Sequence, residues 1–486
     1  MPRRLALAIA AATGIVQSEP MTLSVGLQRL ETGNNGLKAQ TQKLTTASEL
    51  HKATFANFLP VVKLDAGYMH LDRDIVLDMD PIRDAMIQLQ TGDAVSLAKL
   101  DYAMKNPTNP AMPAAGQSAA KNAAMAQLDA ALPHFVKTSK EQDDWEASVT
   151  AYQPLFHGGR ILAAERVAAA RERAAGSDLD RQKNDLRRDF TKLYLQGTLL
   201  RSSIALRNEA IDAIQHHRDR ARTMVTQGMA DRAALLRAEM ALADARTSLS
   251  DDSAKLESIS LTLAQMAGQD EIILPSDTLP PPAQTDFDVA VIATEIGKHS
   301  PLVRSLAAQQ DVAHKAVAVK NADFLPEFGA FGKYELNQDA AKAALAPCWV
   351  VGVKGTVSLF RGGADWHGHQ AARSTEVELA NLREEAESAL LAQAKRQILT
   401  FRQSRTRFAN LSTQRDLARE NHRVTEMRFE QGQATSLEVV DAWISMQKAD
   451  LDRLAASGDA WISTQEILWA SGRTSEFVNL WNGARK

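Results

Sequence analysis

Leu155-Phe156-His157-Gly158-Gly159 and Leu359-Phe360-Arg361-Gly362-Gly363 are one phrase written twice, 204 residues apart. Each marks a change of periodicity. Upstream, from Trp349, the odd positions read Trp349, Val351, Val353, Gly355, Val357 and Leu359, against Gly352, Lys354, Thr356 and Ser358. In the first copy Trp145, Ala147, Val149, Ala151 and Leu155 oppose Glu146, Ser148 and Thr150. Period two over about ten residues is a strand with one apolar and one polar face. Downstream, Gly159 to Gly228 and Gly363 to Gly432 each span 69 residues without a proline, long enough for helices of about 100 Å at about 1.5 Å per residue.

The same offset continues. Gln227-Gly228 matches Gln431-Gly432 and Gly268 matches Gly472, all 204 apart, whereas Phe58-Leu59-Pro60 and Tyr68 match Phe324-Leu325-Pro326 and Tyr334 at 266. The chain is therefore a duplication, and its first copy carries 62 extra residues between Tyr68 and Trp145. The Phe-Leu-Pro triplets open partner strands. Pro60, Val62, Leu64, Ala66 and Tyr68 oppose Lys63, Asp65 and Gly67, and Pro326, Phe328, Ala330 and Tyr334 oppose Glu327 and Lys333.

Gly228 and Gly432 suit helix C-termini that need a positive φ, and Asp231 and Thr435 suit the N-caps of return helices. Thr435 with Glu438 forms a capping-box pattern. These readings divide the chain into residues 1–18, 19–272, 273–286 and 287–486. The first repeat holds strands over 58–69 and 145–156, the insertion over about 71–143 and a helical hairpin over 160–268. The second holds strands over 324–335 and 349–360, a hairpin over 364–472 and a C-terminal segment. Residues 273–286 read as a Pro-rich linker. Long rods of this kind should pack as antiparallel coiled pairs, and alanine-rich stretches such as Ala168 to Ala175 let helices approach closely. Within the insertion, Ile82 to Met104 is helical in pattern and Asn106 to Gly116 is loop-like.

Composition sets bounds. With 56 basic and 59 acidic residues the net charge is -3, which argues against a nucleic-acid binder relying on a basic surface. Cys348 is the only cysteine, which excludes an internal disulfide framework, a Cys-rich zinc site and a lipid-modified N-terminal cysteine. Met1 to Ser18, with Arg3 and Arg4 before an apolar run from Leu5 to Val16, reads as a secretory signal peptide; a buried or signal-anchor helix is the alternative. No other apolar run reaches about 18 residues, so any membrane insertion is by strands. The alternating segments fit a barrel with lipid outside and water inside, or equally a half-buried sheet in a soluble protein. On the membrane reading four strands cannot close, and open edges in lipid leave backbone groups unpaired, so the chain must oligomerise.

The doubled phrases, together with Gln431-Gly432-x-x-Thr435-Ser436-Leu437-Glu438-Val439-Val440-Asp441-Ala442, resemble the TolC family of outer-membrane efflux channels over nearly the whole mature chain. The resemblance implies a mainly α fold with a β-barrel part. It further implies a homotrimer in which twelve strands span the outer-membrane lipid and twelve helices continue through the periplasm. A mixed equatorial region forms from Pro275 to Pro282 and the segment after Gly472. Because the long helices leave each strand hairpin at its periplasmic end, the insertion faces outside the cell and is expected to decorate or partly cover the outer mouth.

The helix tips are the candidate site. Glu438 and Asp441, three positions apart, project from nearly one face, and the resemblance carries an acidic constriction onto them. In a trimer they form rings that favour cations. The alternative leaves Glu438 as the capping-box acid and Asp441 as a surface charge. The first copy has Ala234 and Arg237 at these offsets. Family members hold the closed tip through a tyrosine and an arginine, where Phe429 and Ala434 stand here, so the lock is looser or differently made. His367 and His369 lack partner ligands at metal spacing and read as helix-start or surface residues. His216-His217, in a charged helical stretch, reads as solvated. No phosphate loop, zincin motif or nucleophile elbow occurs, and no cofactor is implied.

The resulting expectation is a non-enzymatic exit duct, fed by an inner-membrane transporter through a periplasmic adaptor that docks on the tips. Type I protein secretion uses the same duct. A periplasmic coiled-coil adaptor without a pore is the competing class, although adaptors carry one hairpin and this chain carries two.

Overall fold

A computed structural model describes residues 18–337 and 347–485. Apart from Ser18, the expected signal peptide lies outside the described residues. The first repeat runs β1 (Ser18–Met21), α1 (Leu23–Gly33), α2 (Asn35–Phe55), β2 (Val61–His70), β3 (Ile75–Asp78), α3 (Asp80–Lys105), α4 (Ala114–Ala131), β4 (Val136–Lys140), β5 (Asp143–His157), α5 (Arg160–Thr226) and α6 (Arg232–Ala267). After β6 (Ile272–Pro275) the second runs α7 (Val289–His299), α8 (Pro301–Asn321), β7 (Glu327–Glu335), β8 (Trp349–Thr356), α9 (Ala364–Glu430), α10 (Ser436–Ala470) and α11 (Thr474–Gly483). Among the described residues no helix is long and apolar enough to cross a membrane.

The chain divides into two units. One comprises Met1–Thr54, Leu162–Asn321 and Arg361–Lys486 and holds the long helices. Its core gathers Phe190 and Tyr194 of α5, Phe401 of α9, Trp461 of α10 and Phe477 and Trp481 of α11 around the parallel pair β1 and β6. Small side chains set the helix spacing, Ala170 and Ala174 of α5 being buried as the alanine pattern predicts. The residues 273–286 are a core element rather than a free linker. The Trp461 Nε1–H donates to the carbonyls of Pro280 and Pro281 at 3.2 Å each, and buried Asp277 accepts from Leu23 N–H and Trp481 Nε1–H at 3.1 Å each. A run of prolines offers no N–H with which to pair such carbonyls locally, so the Trp461 indole, and at Pro280 also the Ser457 hydroxyl, satisfy them. The pseudo-symmetry reaches the backbone: a Cβ on Gly268 would lie 2.4 Å from the carbonyl oxygen of Gly33, and one on Gly472 would lie 2.3 Å from that of His299.

The other unit, Phe55–Ile161 and Ala322–Phe360, is an antiparallel sheet of order β2-β5-β7-β8. The register sorts the faces as the alternation predicts. Val62, Leu64, Ala66 and Tyr68 stand opposite Ala151, Val149, Ala147 and Trp145, while Lys63, Asp65 and Gly67 stand opposite Thr150, Ser148 and Glu146. β5 kinks between Pro154 and Phe156, a place in a central strand where a residue without an N–H is tolerated. Gly158 and Gly159 then turn the chain at φ 58° and 79°, and Gly362 and Gly363 repeat this at 65° and 82°. A Cβ on Gly158 would sit 2.8 Å from Leu325 Cβ.

Several boundaries differ from the sequence reading: the strands expected from 58 and 324 begin at Val61 and Glu327, after a helical turn that takes in Phe58 and Phe324. The strand expected over 349–360 stops at Thr356, because β7 begins at Glu327, opposite Thr356, and offers nothing to residues 357–360. Leu359 and Phe360 are consequently 91% and 84% exposed. In the insertion the loop ends at Pro113, and Gly116 lies within α4. Residues 71–142 form a helical hairpin, α3 against α4, on a two-stranded stem of β3 and β4.

Candidate functional site at the helix tips

α5 and α9 end in the same turn. Gly228 and Gly432 adopt φ 70° and 72°, and the N–H groups of Met229 and Gln433 reach back to the carbonyls of Met224 and Arg428 at 2.8 Å each. These bonds satisfy carbonyls that the last helical turn leaves open. The return helices differ. The Thr435 hydroxyl accepts from Glu438 N–H at 3.3 Å, and the Glu438 carboxylate accepts from Thr435 N–H at 2.7 Å, completing the capping box. Asp231 caps α6 by backbone position only, with no side-chain bond.

Glu438 and Asp441 are both exposed. The bond from the Thr435 backbone, then that from its hydroxyl, hold the Glu438 carboxyl below the usual range, so its charge persists in mildly acidic surroundings. Glu438 thus has a capping role that does not remove its charge. Asp441 points to solvent, its carbonyl accepting from the Ser445 hydroxyl at 2.9 Å.

Phe429 is buried with Ala221 and Val439, and Ala434 packs beside them. Phe429 and Ala434 therefore belong to a small apolar cluster. Polar links between the hairpins come from elsewhere. Arg220 of α5 pairs with Glu426 of α9 at 3.1 Å and also with Glu430, and the Trp443 Nε1–H of α10 donates to the Ala210 carbonyl of α5 at 3.1 Å.

His217 corrects the sequence reading: it is 1% exposed, whereas His216 is solvated. Its Nε2 lies 2.9 Å from the Ser436 hydroxyl, which itself donates to the Ala234 carbonyl at 3.1 Å. That chain assigns the proton to Nε2, and Nδ1 has no partner among the described residues. The ring packs on Phe429 at a centroid distance of 4.9 Å. Burial, then the charges of Arg220 and His422, push its pKa down to about 4. The signal was present in the sequence: Ala210, Ile214, His217 and Ala221 follow one buried helical stripe.

His367 and His369 lie in the first turns of α9. Among the described residues no group of three or more histidines, cysteines or acids could hold a metal.

A family model described as outer membrane efflux protein matches residues 110–269 and 293–473, one segment in each repeat. No curated protein sequence matches the chain. Among solved structures, the outer-membrane channel OprN is similar at TM-score 0.70 and 16% identity, over 93% of this chain and 89% of that chain. The Campylobacter jejuni CmeC outer membrane channel gives 0.70 and 12%, over 96% and 89%. The Vibrio cholerae outer membrane protein VceC gives 0.69 and 13%, over 93% and 96%. At such identities the structural likeness is one of fold, and the family match carries the assignment. The chain belongs to the outer membrane efflux protein family, and it has the fold of that family's channels.

Proposed function

We propose that this channel works as a homotrimeric exit duct, its strands in the outer membrane and its long helices in the periplasm. An inner-membrane transporter supplies the energy, and a periplasmic adaptor docks on the tip turns around Gly228, Asp231, Gly432 and Thr435. The observation that supports this most is the pair of open sheet edges. Among the described residues β2 lacks a partner on one side and β8 on the other, while one face of the same sheet is apolar and rimmed with aromatics. Tyr68 packs on Trp145 at 5.0 Å, and Tyr334 stands opposite Trp349. Six residues along β7, Phe328 pairs with Phe156, so the aromatic rims lie about 20 Å apart at about 3.4 Å per residue. That is close to the apolar band of an outer-membrane barrel, about 25 Å tall.

Three copies joined β2 to β8 close twelve strands and leave no edge in lipid. At the tips, Glu438 and Asp441 make an acidic ring that admits cations and repels anions. Phe429, Ala434, His217 and the Arg220 pairs keep each protomer's hairpins together in the closed form. Cargo selection belongs to the transporter, because a shared duct carries little recognition of its own.

Purified protein in detergent should have the mass of three chains and form ion-conducting pores in planar bilayers, and it should fractionate with the outer membrane. A monomeric particle that conducts nothing would refute the duct.

A further inference from the structure

The insertion carries apolar surface that its own packing leaves uncovered. α3 faces α4 through Ile87 and Thr91, which are buried, and through half-buried Ala94, Val95, Ala98 and Tyr102. Arg83 fastens that side, its Nε donating to the Leu132 carbonyl at 2.8 Å and its guanidinium also pairing with Asp129. On the opposite side of the same helix lies a second stripe, Ile82, Met86, Leu89, Leu97, Leu100 and Met104, exposed by between 47% and 71%. A helix in contact with one partner needs one apolar face; this one has two.

The second stripe has a regular period. Ile82, Asp93 and Met104 are spaced by eleven, as are Met86 with Leu97 and Leu89 with Leu100. An eleven-residue repeat corresponds to about 3.67 residues per turn and keeps a seam in line along a nearly straight helix. Asp93 is the one polar position in the seam, a device that selects register at a cost in stability.

We propose that the α3 stripes of three copies pack on one another about the three-fold axis, capping the outer mouth of the barrel. This rests on the trimer proposed above. Charge argues against a lipid surface as the occupant. Helices that lie on phosphate-rich headgroups are rich in lysine and arginine, whereas α3 sets Asp80, Asp84, Asp93 and Asp101 against Arg83, Lys99 and Lys105. Of those bases Arg83 is turned inward and Lys105 is bonded to Asp101 at 2.7 Å.

The root argues for a second copy. The insertion grows from β2, the edge strand that meets the neighbouring subunit, after only residues 71–74. That root is braced: Tyr68 and His70 hold Asp143 at 2.6 and 2.7 Å, Leu71 N–H donates to the Gln142 carbonyl at 2.7 Å, and Gln142 N–H donates to Asp74 at 2.6 Å. Six side chains make less than the roughly 800 Å² per partner of a standing interface, so the stripe would not join free chains. Chains already tied at the barrel meet it at high effective concentration.

The test uses full-length protein in detergent with Cys348→Ser removing the only native thiol. Leu89→Cys and Leu97→Cys lie on the stripe, and Lys121→Cys, exposed on α4, is the control. Mild oxidation should convert up to two chains of every three to covalent dimers at the stripe positions, and at least fivefold fewer at Lys121→Cys. A particle of trimer mass without stripe-specific dimers overturns the cap, including the case in which a lipid-soluble maleimide labels the stripe in vesicles. A particle of monomer mass would sink the trimer itself.

Discussion

For the trimer proposed above, the pairing within one chain predicts the register of the seam between subunits. β5 pairs with β7 across the two repeats, with Val149 opposite Tyr334, Ala151 opposite Gly332 and Tyr152 opposite Phe331. Moving β5 forward by 204 gives β8, and moving β7 back by 266 gives β2. The seam therefore sets Val353 opposite Tyr68, Gly355 opposite Ala66 and Thr356 opposite Asp65 of the next copy. Faces agree, since Val353 and Tyr68 lie on the apolar side and Thr356 and Asp65 on the polar side. Residues 357, 358 and 360, unpaired among the described residues, acquire partners, and Leu359 falls at the bulge that Leu155 occupies in β5. Opposed residues in antiparallel strands have Cα atoms about 4.5 or 5.5 Å apart, inside the disulfide range of about 4.4–6.8 Å. A same-face position two residues away lies about 7–8 Å off, outside it. In the Cys348→Ser background, Thr356→Cys with Asp65→Cys should oxidise to a closed covalent trimer on denaturing gels, and Thr356→Cys with Lys63→Cys should not. Linkage within one chain is excluded by three strand spacings, about 14 Å. Linkage through Lys63→Cys alone would mean a slipped register; a trimer linked by neither pair would refute pairing of β8 with β2.

Acidification should loosen the tips. With His217 at about 4 when folded and about 6.5 when unfolded, the unfolded chain binds more protons between those values. Stability therefore falls as pH drops through that window, by at most about 3 kcal/mol per chain. Pulsed hydrogen exchange at the tip amides should show the loss, with His217→Gln flattening it; Arg220 and His422 are the charged groups acting on the ring, and identical profiles for both proteins would remove His217 as the cause. Asp441→Ala with Glu438→Gln should weaken cation selectivity in planar bilayers while the amide of Gln keeps the cap; unchanged reversal potentials count against the acidic ring. Trp461→Ala empties the helical core and orphans the Pro281 carbonyl, Pro280 keeping the Ser457 hydroxyl at 2.6 Å, and should cost about 3–5 kcal/mol in a denaturant titration of the purified protein; a cost under about 1 kcal/mol would show that residues 273–286 are held by other contacts.

What could be read from sequence was whatever recurs. The Gly-Gly turns, the Phe-Leu-Pro openings and the alternation from Trp145 and Trp349 each occur twice, and repetition separates signal from chance better than any single propensity. What was missed lacked a second copy. The α4 half of the insertion has no counterpart, and alanine-rich sequence carries almost no periodic signal by which to place a helix. His217 was misread because its charged neighbours dominated the window, although its own face was apolar. Residues 273–286 read as a Pro-rich linker within a mixed equatorial region, but their partners could not be named from sequence, because Trp461, which donates to the Pro280 and Pro281 carbonyls, and Trp481, which donates to the Asp277 carboxylate, lie about 180–204 residues away, beyond any local pattern.

Duplication also explains where the halves had to differ. Each repeat packs its hairpin and closes its share of sheet by the same contacts, so the glycines that allow those contacts persist in both, as at Gly268 and Gly472. The strand ends are not equivalent: among the described residues β5 is flanked on both sides, whereas β8 meets β7 alone. The tips are not equivalent either, for Glu438 and Asp441 have Ala234 and Arg237 at the matching offsets. In a ring of alternating repeats, acids on both hairpins would double the number of like charges around one opening, and their repulsion grows as water is squeezed out. In the proposed trimer, acids confined to the second repeat would make a charged ring that can still close, with Arg237 of the first repeat as a charge of opposite sign at the matching offset. Charge at the tip and elaboration at the mouth thus fall in different repeats, each where a single copy per chain suffices.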